Sequence, residues 1–247
     1  VRDTARSQQI HRAWVALDKM LLARLSGDEL LARVDPADIR DVRATCDSAL
    51  AHGNGCVVLS MHYGRPMIGP RVFPLLGYPS TIVHAGMSRA CLDWWAAGDS
   101  HRAYVEFIGA RDPACARRSL RALARNRLLF VLVDGGIARR RNDVPFLGHT
   151  VSIPEPLTRM AVIARSAVIT GTVRSTEALR FRMAVRVVTH SAERVTAGPL
   201  GALVAAEFEA AVLEDPGQWY GINRMFRFAG RSPAAEARRV MALTAAD

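Results

Sequence analysis

Apolar residues recur every three or four positions near the start of the chain. Between about residues 7 and 25 this spacing predicts an amphipathic helix, because side chains three and four apart share one helical face. The apolar stripe of this helix consists of Ile10, Trp14, Leu17, Leu21 and Leu25. We expect the stripe to face the protein core, since a membrane-bound face is the less common use of such a pattern.

Further along, short apolar runs alternate with helical stretches. Cys56–Ser60 and residues 128–133 are mostly apolar runs between turn residues, which predicts two buried strands. Asp35-Pro36 and Asp112-Pro113 each place an N-cap before a proline, which predicts helices to about residues 52 and 126. The other predicted strands are 81–84, 104–108, 168–173 and 181–189, and the other predicted helices are 66–76, 88–97, 154–165 and 200–213.

This alternation is typical of an α/β fold. We predict a single-domain α/β sandwich over residues 1–247, with a mostly parallel or mixed central sheet flanked by helices. Within it, N-terminal amphipathic helices would occupy residues 7–52, the α/β core residues 53–230 and a tail residues 231–247. No internal repeat or linker suggests a second domain.

The charge of the chain comes almost entirely from arginine. Its formal net charge is +10 over 247 residues, and Lys19 is the only lysine. Arginine forks match carboxylate and phosphate oxygens, so such a surface favours acidic partners. A phosphopantetheine carrier, a coenzyme, anionic lipid and nucleic acid all fit this description. The alternative is that the arginines are spread evenly as solvated charge.

Several functional classes are disfavoured by what the sequence lacks. Its four cysteines are irregularly spaced and form no C-x-x-C pair, which argues against a zinc site or a disulfide framework and fits a reducing, cytoplasmic location. No apolar run of about 18 residues predicts a transmembrane helix, and no secretory signal follows Val1. Hydrolase-elbow, Walker, dinucleotide-binding and zincin motifs are also missing.

Two polar residues directly follow the two buried-type strands. His62 comes two positions after the first strand, and Asp134 comes immediately after the second. If both strands are parallel neighbours, these side chains share the sheet edge where open α/β folds place their ligands. A carboxylate beside an imidazole fixes its tautomer and raises its basicity. The alternative is that both residues simply belong to turns.

A second carboxylate and a set of arginines surround these positions in the sequence. Glu155 lies between two prolines at a predicted helix start, where it is either a second site carboxylate or a favourable charge at the helix dipole. The arginines precede and follow the strand that ends at Asp134, and they could bind a phosphate or the acidic face of a carrier. They are Arg117, Arg118, Arg139, Arg140 and Arg141.

Four blocks in order resemble the lysophospholipid acyltransferase superfamily, in particular the lipid A late-acyltransferase and phosphatidylinositol mannoside acyltransferase branch. The similarity covers roughly residues 7–230. The blocks are Gly55 to Ser60 followed by His62-Tyr63-Gly64, the helix with Arg117 and Arg118 before the strand ending at Asp134, Val144-Pro145-Phe146-Leu147-Gly148, and Asp215-Pro216-Gly217-Gln218-Trp219 with Arg224 and Phe226.

The resemblance implies that His62 is the base that deprotonates the acceptor. Arg65, in the turn after His62, and Arg224, in the fourth block, are further candidates for substrate binding. The chain departs from the pattern at Met67, where the family has the acid that orients the histidine. The C-terminal histidine and second arginine of the family are Asn223 and Met225 here. Either Asp134 or Glu155 replaces the acid, or an amine acceptor needs less help, or the site no longer catalyses.

We therefore expect an acyltransferase that uses a thioester donor, either acyl carrier protein or acyl-CoA, with no metal or redox cofactor. The acceptor would be an amine or hydroxyl of a small or carrier-bound molecule, and we expect a role in specialised metabolism. A peripheral-membrane glycolipid O-acyltransferase and a catalytically dead accessory subunit are the alternatives. We expect a cytoplasmic protein, with peripheral membrane contact as a further expectation and nucleic acid not among its partners.

Overall fold

The computed structural model describes residues 2–21, 24–87, 104–134, 141–177, 179–191 and 196–219. The predicted helix at 88–97 and the tail from residue 231 lie outside these ranges. Within them, no helix is both long enough and apolar enough to cross a membrane.

A six-stranded mixed sheet forms the centre of the fold, as the α/β pattern predicts. Its strand order is β3-β2-β4-β1-β7-β8, with parallel pairing throughout except that β8 runs antiparallel to β7. The strands are β1 Cys56–Ser60, β2 Ser80–His84, β3 Val105–Gly109, β4 Leu128–Leu132, β7 Ala167–Glu177 and β8 Arg180–Thr189. A separate antiparallel hairpin is formed by β5 Arg141–Phe146 and β6 His149–Pro154.

Strand β1 lies in the middle of the sheet and is buried along its whole length. It pairs with β4 on one side and with β7 on the other. Because Ser60 is opposite Leu132, the chain leaves both strands at the same edge. The buried-strand predictions for these two segments are confirmed, and so is the expected common edge for the residues that follow them.

Seven α-helices are described in the ranges above. They are α1 Arg2–Leu21, α2 Gly27–Leu31, α3 Pro36–Leu50, α4 Gly69–Leu75, α5 Cys115–Ala124, α6 Glu155–Ala164 and α7 Ala197–Glu214, followed by a 3-10 turn Pro216–Gln218. Asp35 accepts a hydrogen bond from the Ala37 N–H at 2.8 Å and Asp112 accepts one from the Ala114 N–H at 2.8 Å. Asp35 is the N-cap of α3 with Pro36 in its first turn, as its Asp-Pro dipeptide predicts. The predicted cap at Asp112 was wrong, because the N-cap of α5 is Ala114 and Asp112 binds within the turn before the helix.

The helices cover both faces of the sheet, and the residues of β1 alternate between two cores. Val57 and Leu59 point into a core shared with α5, α6, α7 and the hairpin. Cys56 and Val58 point into a core shared with α2, α3 and α4. Burying apolar area on both sides explains why β1 is continuously apolar rather than alternating.

The β5–β6 hairpin was not predicted. Pro145 interrupts its first strand, and proline ordinarily counts against a strand interior. Its two-residue turn places Leu147 at φ 49° and Gly148 at φ 71°, and a leucine in that conformation gives little turn signal. The Leu147 N–H donates to Glu209 of α7 at 3.0 Å, so a tertiary contact holds the turn.

The predicted orientation of the first helix was wrong for part of its apolar stripe. Ile10 is 42% exposed and Leu17 is 51% exposed, so these members of its apolar stripe do not enter the core. The buried face instead carries Gln8 and His11. This face packs on the 3-10 turn, where the Gln8 side-chain amide donates to the Pro216 carbonyl at 3.4 Å. Trp14, from the same stripe, is half-buried and lies against the guanidinium of Arg65. The helix is therefore turned so that only part of its apolar stripe faces the protein.

Candidate active site

His62 and Asp134 meet at the edge where β1 and β4 end. The Nδ1 atom of His62 lies 2.7 Å from Oδ1 of Asp134, and the His62 backbone N–H donates to Oδ2 at 2.9 Å. Parallel pairing of β1 with β4 brings the two residues together across 72 positions of sequence. Both oxygens of one carboxylate therefore hold one histidine, through its backbone and through its ring.

This contact selects the tautomer of the imidazole. A carboxylate that already accepts the backbone N–H offers only acceptor oxygens, so Nδ1 carries the proton in the neutral ring. The lone pair then resides on Nε2, which is the arrangement of a general base. Asp134 is fully buried, while the side chain of His62 is 21% exposed. The pair thus combines a carboxylate protected from water with an imidazole that solvent and small molecules can reach.

The residues after His62 are fixed to the end of β7 and to the C-terminal segment. Gly64 adopts φ 55°, and a Cβ at this position would collide with the Val173 carbonyl oxygen. Tyr63 forms an antiparallel bridge with Trp219, and its hydroxyl donates to the Ala211 carbonyl at 2.8 Å. Burial raises the pKa of this hydroxyl, which keeps it protonated as a donor. The histidine is therefore followed by a loop with little freedom to move.

Arg65, a predicted substrate-binding residue, is directed into the protein. It is 3% exposed, its Nε donates to the Ser175 hydroxyl at 2.7 Å, and its guanidinium lies 5.0 Å from the ring centre of Trp14. A guanidinium stacked on an aromatic face and bonded to a buried hydroxyl holds elements together. This placement does not support the prediction that Arg65 binds substrate.

Arg117 and Arg118, near the start of α5, differ in their surroundings. Arg118 donates to Asp112 at 3.0 Å and to Glu106 at 3.2 Å, so its charge is matched by two neighbours. Arg117 is exposed on the same helix. Because α5 begins after β3 and runs back towards the start of β4, its first turn lies at the same sheet edge as His62. Arg117 keeps its predicted access to a ligand, whereas Arg118 is engaged in ion pairs.

The three consecutive arginines after Asp134 are only partly described. Arg141 opens β5, and its guanidinium donates to the Ser152 carbonyl across the hairpin. This contact ties together the two strands of the hairpin. Arg139, Arg140 and Arg224 lie outside the described residues, so their predicted roles stay predictions.

Glu155, the second candidate carboxylate, begins α6 and pairs with Arg159 of the same helix at 3.4 Å. It makes no described hydrogen bond to His62, whose Nδ1 and backbone N–H both bind Asp134. Of the two carboxylates that the sequence offered to orient the histidine, the structure therefore selects Asp134. A catalytic role for Glu155 stays a prediction.

Comparison with known families shows which family the chain belongs to. A family model for bacterial lipid A biosynthesis acyltransferases matches residues 10–228, which is most of the chain. The chain belongs to this acyltransferase family. No curated protein matches it. The resemblance inferred from the four sequence blocks is confirmed, and the matched region contains both His62 and Asp134.

In this member of the acyltransferase family, Met67 stands where the sequence pattern expects an acid. Met67 is half-buried and packs against the apolar core beneath β1. It takes no part in holding the imidazole, because Asp134 makes both of those contacts. Among the described residues, no cluster of three or more histidine, cysteine, aspartate or glutamate side chains could hold a metal ion.

The contacts that fix the histidine loop were not found by sequence reasoning. Gln218 and Trp219 belong to a block that resembles the family, yet neither was assigned a role at the site. Ser175, near the end of β7, was not predicted to be a site residue. The sequence carries little indication of these roles, because a buried glutamine or serine is recognisable as functional only when its hydrogen-bond partners are known.

Proposed function

We propose that this protein transfers an acyl group from a thioester donor to a hydroxyl or amine, with His62 as the general base and Asp134 as the group that orients it. The observation that carries the proposal is the contact of both Asp134 oxygens with His62 inside an acyltransferase fold. The buried carboxylate also stabilises the imidazolium that forms when the ring accepts a proton.

The reaction follows from this arrangement. The acceptor O–H or N–H gives its proton to Nε2 of His62 as the oxygen or nitrogen attacks the thioester carbonyl carbon. The resulting tetrahedral oxyanion re-forms the carbonyl and breaks the carbon–sulfur bond. The departing sulfur takes the proton from the imidazolium and leaves as a thiol, which returns His62 to its neutral form.

The contact between His62 and Asp134 also bears on whether the acceptor is a hydroxyl or an amine. The methionine at position 67 alone would favour an amine, because a neutral amine needs little help from a base. With Asp134 in the orienting position, the base is complete and a hydroxyl becomes equally accessible. We therefore keep both acceptor classes, on a small or carrier-bound molecule in specialised metabolism.

Donor delivery is supported by a line of exposed arginines, two on α5 and one at its C-cap. Arg117, Arg121 and Arg125 are spaced four residues apart, so they share one face and extend over about 12 Å. Among the described residues, the ion pairs of this helix are made by Arg118 alone. Such a line matches the carboxylates along an acidic protein surface. We propose that it binds an acyl carrier protein rather than holding the phosphate of acyl-CoA.

A reaction screen tests the activity itself. The protein would be incubated with acyl carrier proteins and acyl-CoA of several chain lengths, together with hydroxyl- and amine-bearing acceptors, and the products would be read by intact mass. We expect an acylated acceptor that His62→Ala no longer forms. Donors that remain intact across the screen, with partner binding retained in both proteins, would instead support an accessory subunit.

The arginine line predicts a charge-dependent donor preference. Arg121→Glu should raise the KM for a carrier-bound donor about tenfold at low salt, and less at high salt, because it weakens electrostatic steering. The KM for acyl-CoA should change little. Arg40→Glu is the matched control, since it reverses one exposed arginine on helix α3, which covers the other face of the sheet. Equal effects of both variants on KM would contradict the proposal that this line of arginines binds the carrier.

A membrane-surface glycolipid acceptor is the second candidate, and two observations favour it. The matching family is described by lipid A biosynthesis, and α1 exposes Ile10 and Leu17 on one side. Transfer to a lipid acceptor in vesicles, with loss of vesicle binding in an Ile10→Ser, Leu17→Ser variant, would establish this alternative. Transfer to soluble acceptors without vesicles would support the first proposal.

A further inference from the structure

Gln218 makes an unusually complete set of contacts behind the histidine loop. It is 3% exposed. Its side-chain nitrogen donates to the Ser175 carbonyl at 3.0 Å and to Asp215 Oδ2 at 2.8 Å, and its side-chain oxygen accepts from the Ser175 N–H at 3.0 Å. Both amide protons and the amide oxygen are thus used, so the side chain has one orientation.

The backbone of Gln218 reaches the histidine loop directly. Its carbonyl accepts from the Gly64 N–H at 2.8 Å. The next residue, Trp219, bridges to Tyr63. One residue therefore connects Ser175, near the end of β7, to a position two residues after His62.

Strand β7 holds the same loop from its other side. The Arg65 N–H donates to the Val173 carbonyl at 2.7 Å, and Arg65 Nε donates to the Ser175 hydroxyl. Gly64 has φ 55° and lies so close to the Val173 carbonyl that a Cβ at this position would collide with it. Displacing Gln218 would therefore shift the loop, and a small shift there rotates the imidazole away from Asp134.

We propose that Gln218 is a positioning residue, which holds the loop after His62 so that the imidazole keeps its hydrogen bond to Asp134. The inference rests on the proposed base role of His62 for its effect on turnover. The expected effect of Gln218 on the hydrogen bond between His62 and Asp134 can be measured without any enzymatic turnover. A simpler alternative is that Gln218 only attaches the C-terminal segment to the sheet.

The test uses a nearly isosteric change in the full chain. Gln218→Glu keeps the acceptor for the Ser175 N–H but replaces the donor with a carboxylate oxygen, which faces the Ser175 carbonyl and Asp215. The matched control is Asn126→Asp at the opposite end of β1. Asn126 accepts from the Gly55 N–H at 2.9 Å and donates to the Leu50 carbonyl at 3.2 Å, so this change also removes a bonded, half-buried amide donor.

The first measurement is the proton NMR signal of the His62 Nδ1–H, assigned by its loss in His62→Gln. We expect a downfield signal in the unmodified chain and in Asn126→Asp, and a weakened or shifted signal in Gln218→Glu. An unchanged signal in folded Gln218→Glu would overturn the proposal. If Gln218→Glu fails to fold, Gln218→Met serves in its place, because it keeps the length of the side chain without adding a charge.

The second measurement is turnover with the donor and acceptor found in the reaction screen. A misplaced catalytic group costs on the order of 10²-fold in rate, so we expect Gln218→Glu to lower kcat by about that factor with KM nearly unchanged. A loss confined to KM, or equal in Asn126→Asp, would contradict the positioning role. If the unmodified chain shows no transfer, the NMR comparison still decides this inference separately from the proposed function.

Discussion

Two histidines near the same loop show how differently one residue type can be used. His62 has its Nδ1 against a buried carboxylate and is 21% exposed. His11, on α1, is 8% exposed, and its Nδ1 is buried without a hydrogen-bond partner among the described residues. Its ring lies edge-on to Trp14 at 5.2 Å, and Trp14 in turn stacks on Arg65 of the histidine loop.

The two rings differ in how deeply they are buried and in which groups contact their nitrogens. Burial lowers the pKa of His11, with Arg65 lowering it further against an opposing effect of Asp215, so this ring favours its neutral form. At His62 the carboxylate accepts a hydrogen bond from the Nδ1–H of the ring, which leaves the lone pair on Nε2. The first histidine is buried beside the loop, whereas the second is oriented by a carboxylate and partly exposed, as the proposed base requires.

The largest predicted effect is at His62. His62→Ala removes the base, so acyl transfer should fall about 10³-fold, within the usual range for a general base. Its fold should persist, because the side chain is partly exposed. Initial rates measured alongside His11→Phe give the comparison, since the latter should keep most of the activity. Similar losses in both variants would mean that the two histidines do not differ as described.

The next effect is at the carboxylate. In Asp134→Asn one acceptor oxygen is replaced by an N–H donor, which disfavours the Nδ1-protonated tautomer of His62. Turnover should fall about 10²-fold. The free energy of unfolding should also fall by about 2 kcal/mol, because a hydrogen bond to a buried charge is lost. Denaturant titration corrects the rate for any unfolded fraction, and full activity after that correction would argue against the role of Asp134.

The positions of His62 and Asp134 were predictable from the sequence, because both residues follow the ends of strands. His62 and Asp134 each follow an apolar run, and parallel neighbouring strands leave little choice about where their carboxyl ends meet. The departure at Met67 also pointed to another carboxylate. What sequence could not decide was which of Asp134 and Glu155 it would be, since that depends on the path of the hairpin between them.

Other features were beyond sequence reasoning for a different reason. The apolar stripe of α1 contained Ile10 and Leu17, and periodicity alone places such residues inside. Part of the surface that α1 covers is polar and is formed by the turn at 216–217. The apolar pattern of α1 does not identify that turn as its partner. Likewise, Arg65 looked available for substrate until Ser175 and Trp14 were found around it.

A smaller effect is expected from restoring the acid of the family pattern. Met67→Glu should leave turnover per folded molecule unchanged, because Nδ1 of His62 already has its carboxylate. The half-buried methionine packs against the apolar core, so a charge there should lower the free energy of unfolding by roughly 1–3 kcal/mol. A clear increase in turnover would show that Asp134 orients the imidazole incompletely.

The smallest effect concerns His11 and pH. Its folded-state pKa lies below the unfolded value of about 6.5, so the unfolded chain binds the proton more readily. The contribution of His11 to stability is therefore present above about pH 6.5 and is lost as the pH falls. His11→Phe should reduce the acid-side decline in unfolding free energy, measured by denaturant titration between about pH 7 and 5. An unchanged pH dependence would contradict the buried neutral ring.

The central claim is that His62 and Asp134 act as one unit in acyl transfer, and a double-mutant cycle on turnover tests it most directly. Rates of the unmodified chain, His62→Ala, Asp134→Asn and the double variant would be compared under identical donor and acceptor concentrations. The account predicts that the double variant is no slower than His62→Ala alone. Losses that multiply, with the double variant slower by the product of the two single effects, would show that the residues act independently and would contradict the account.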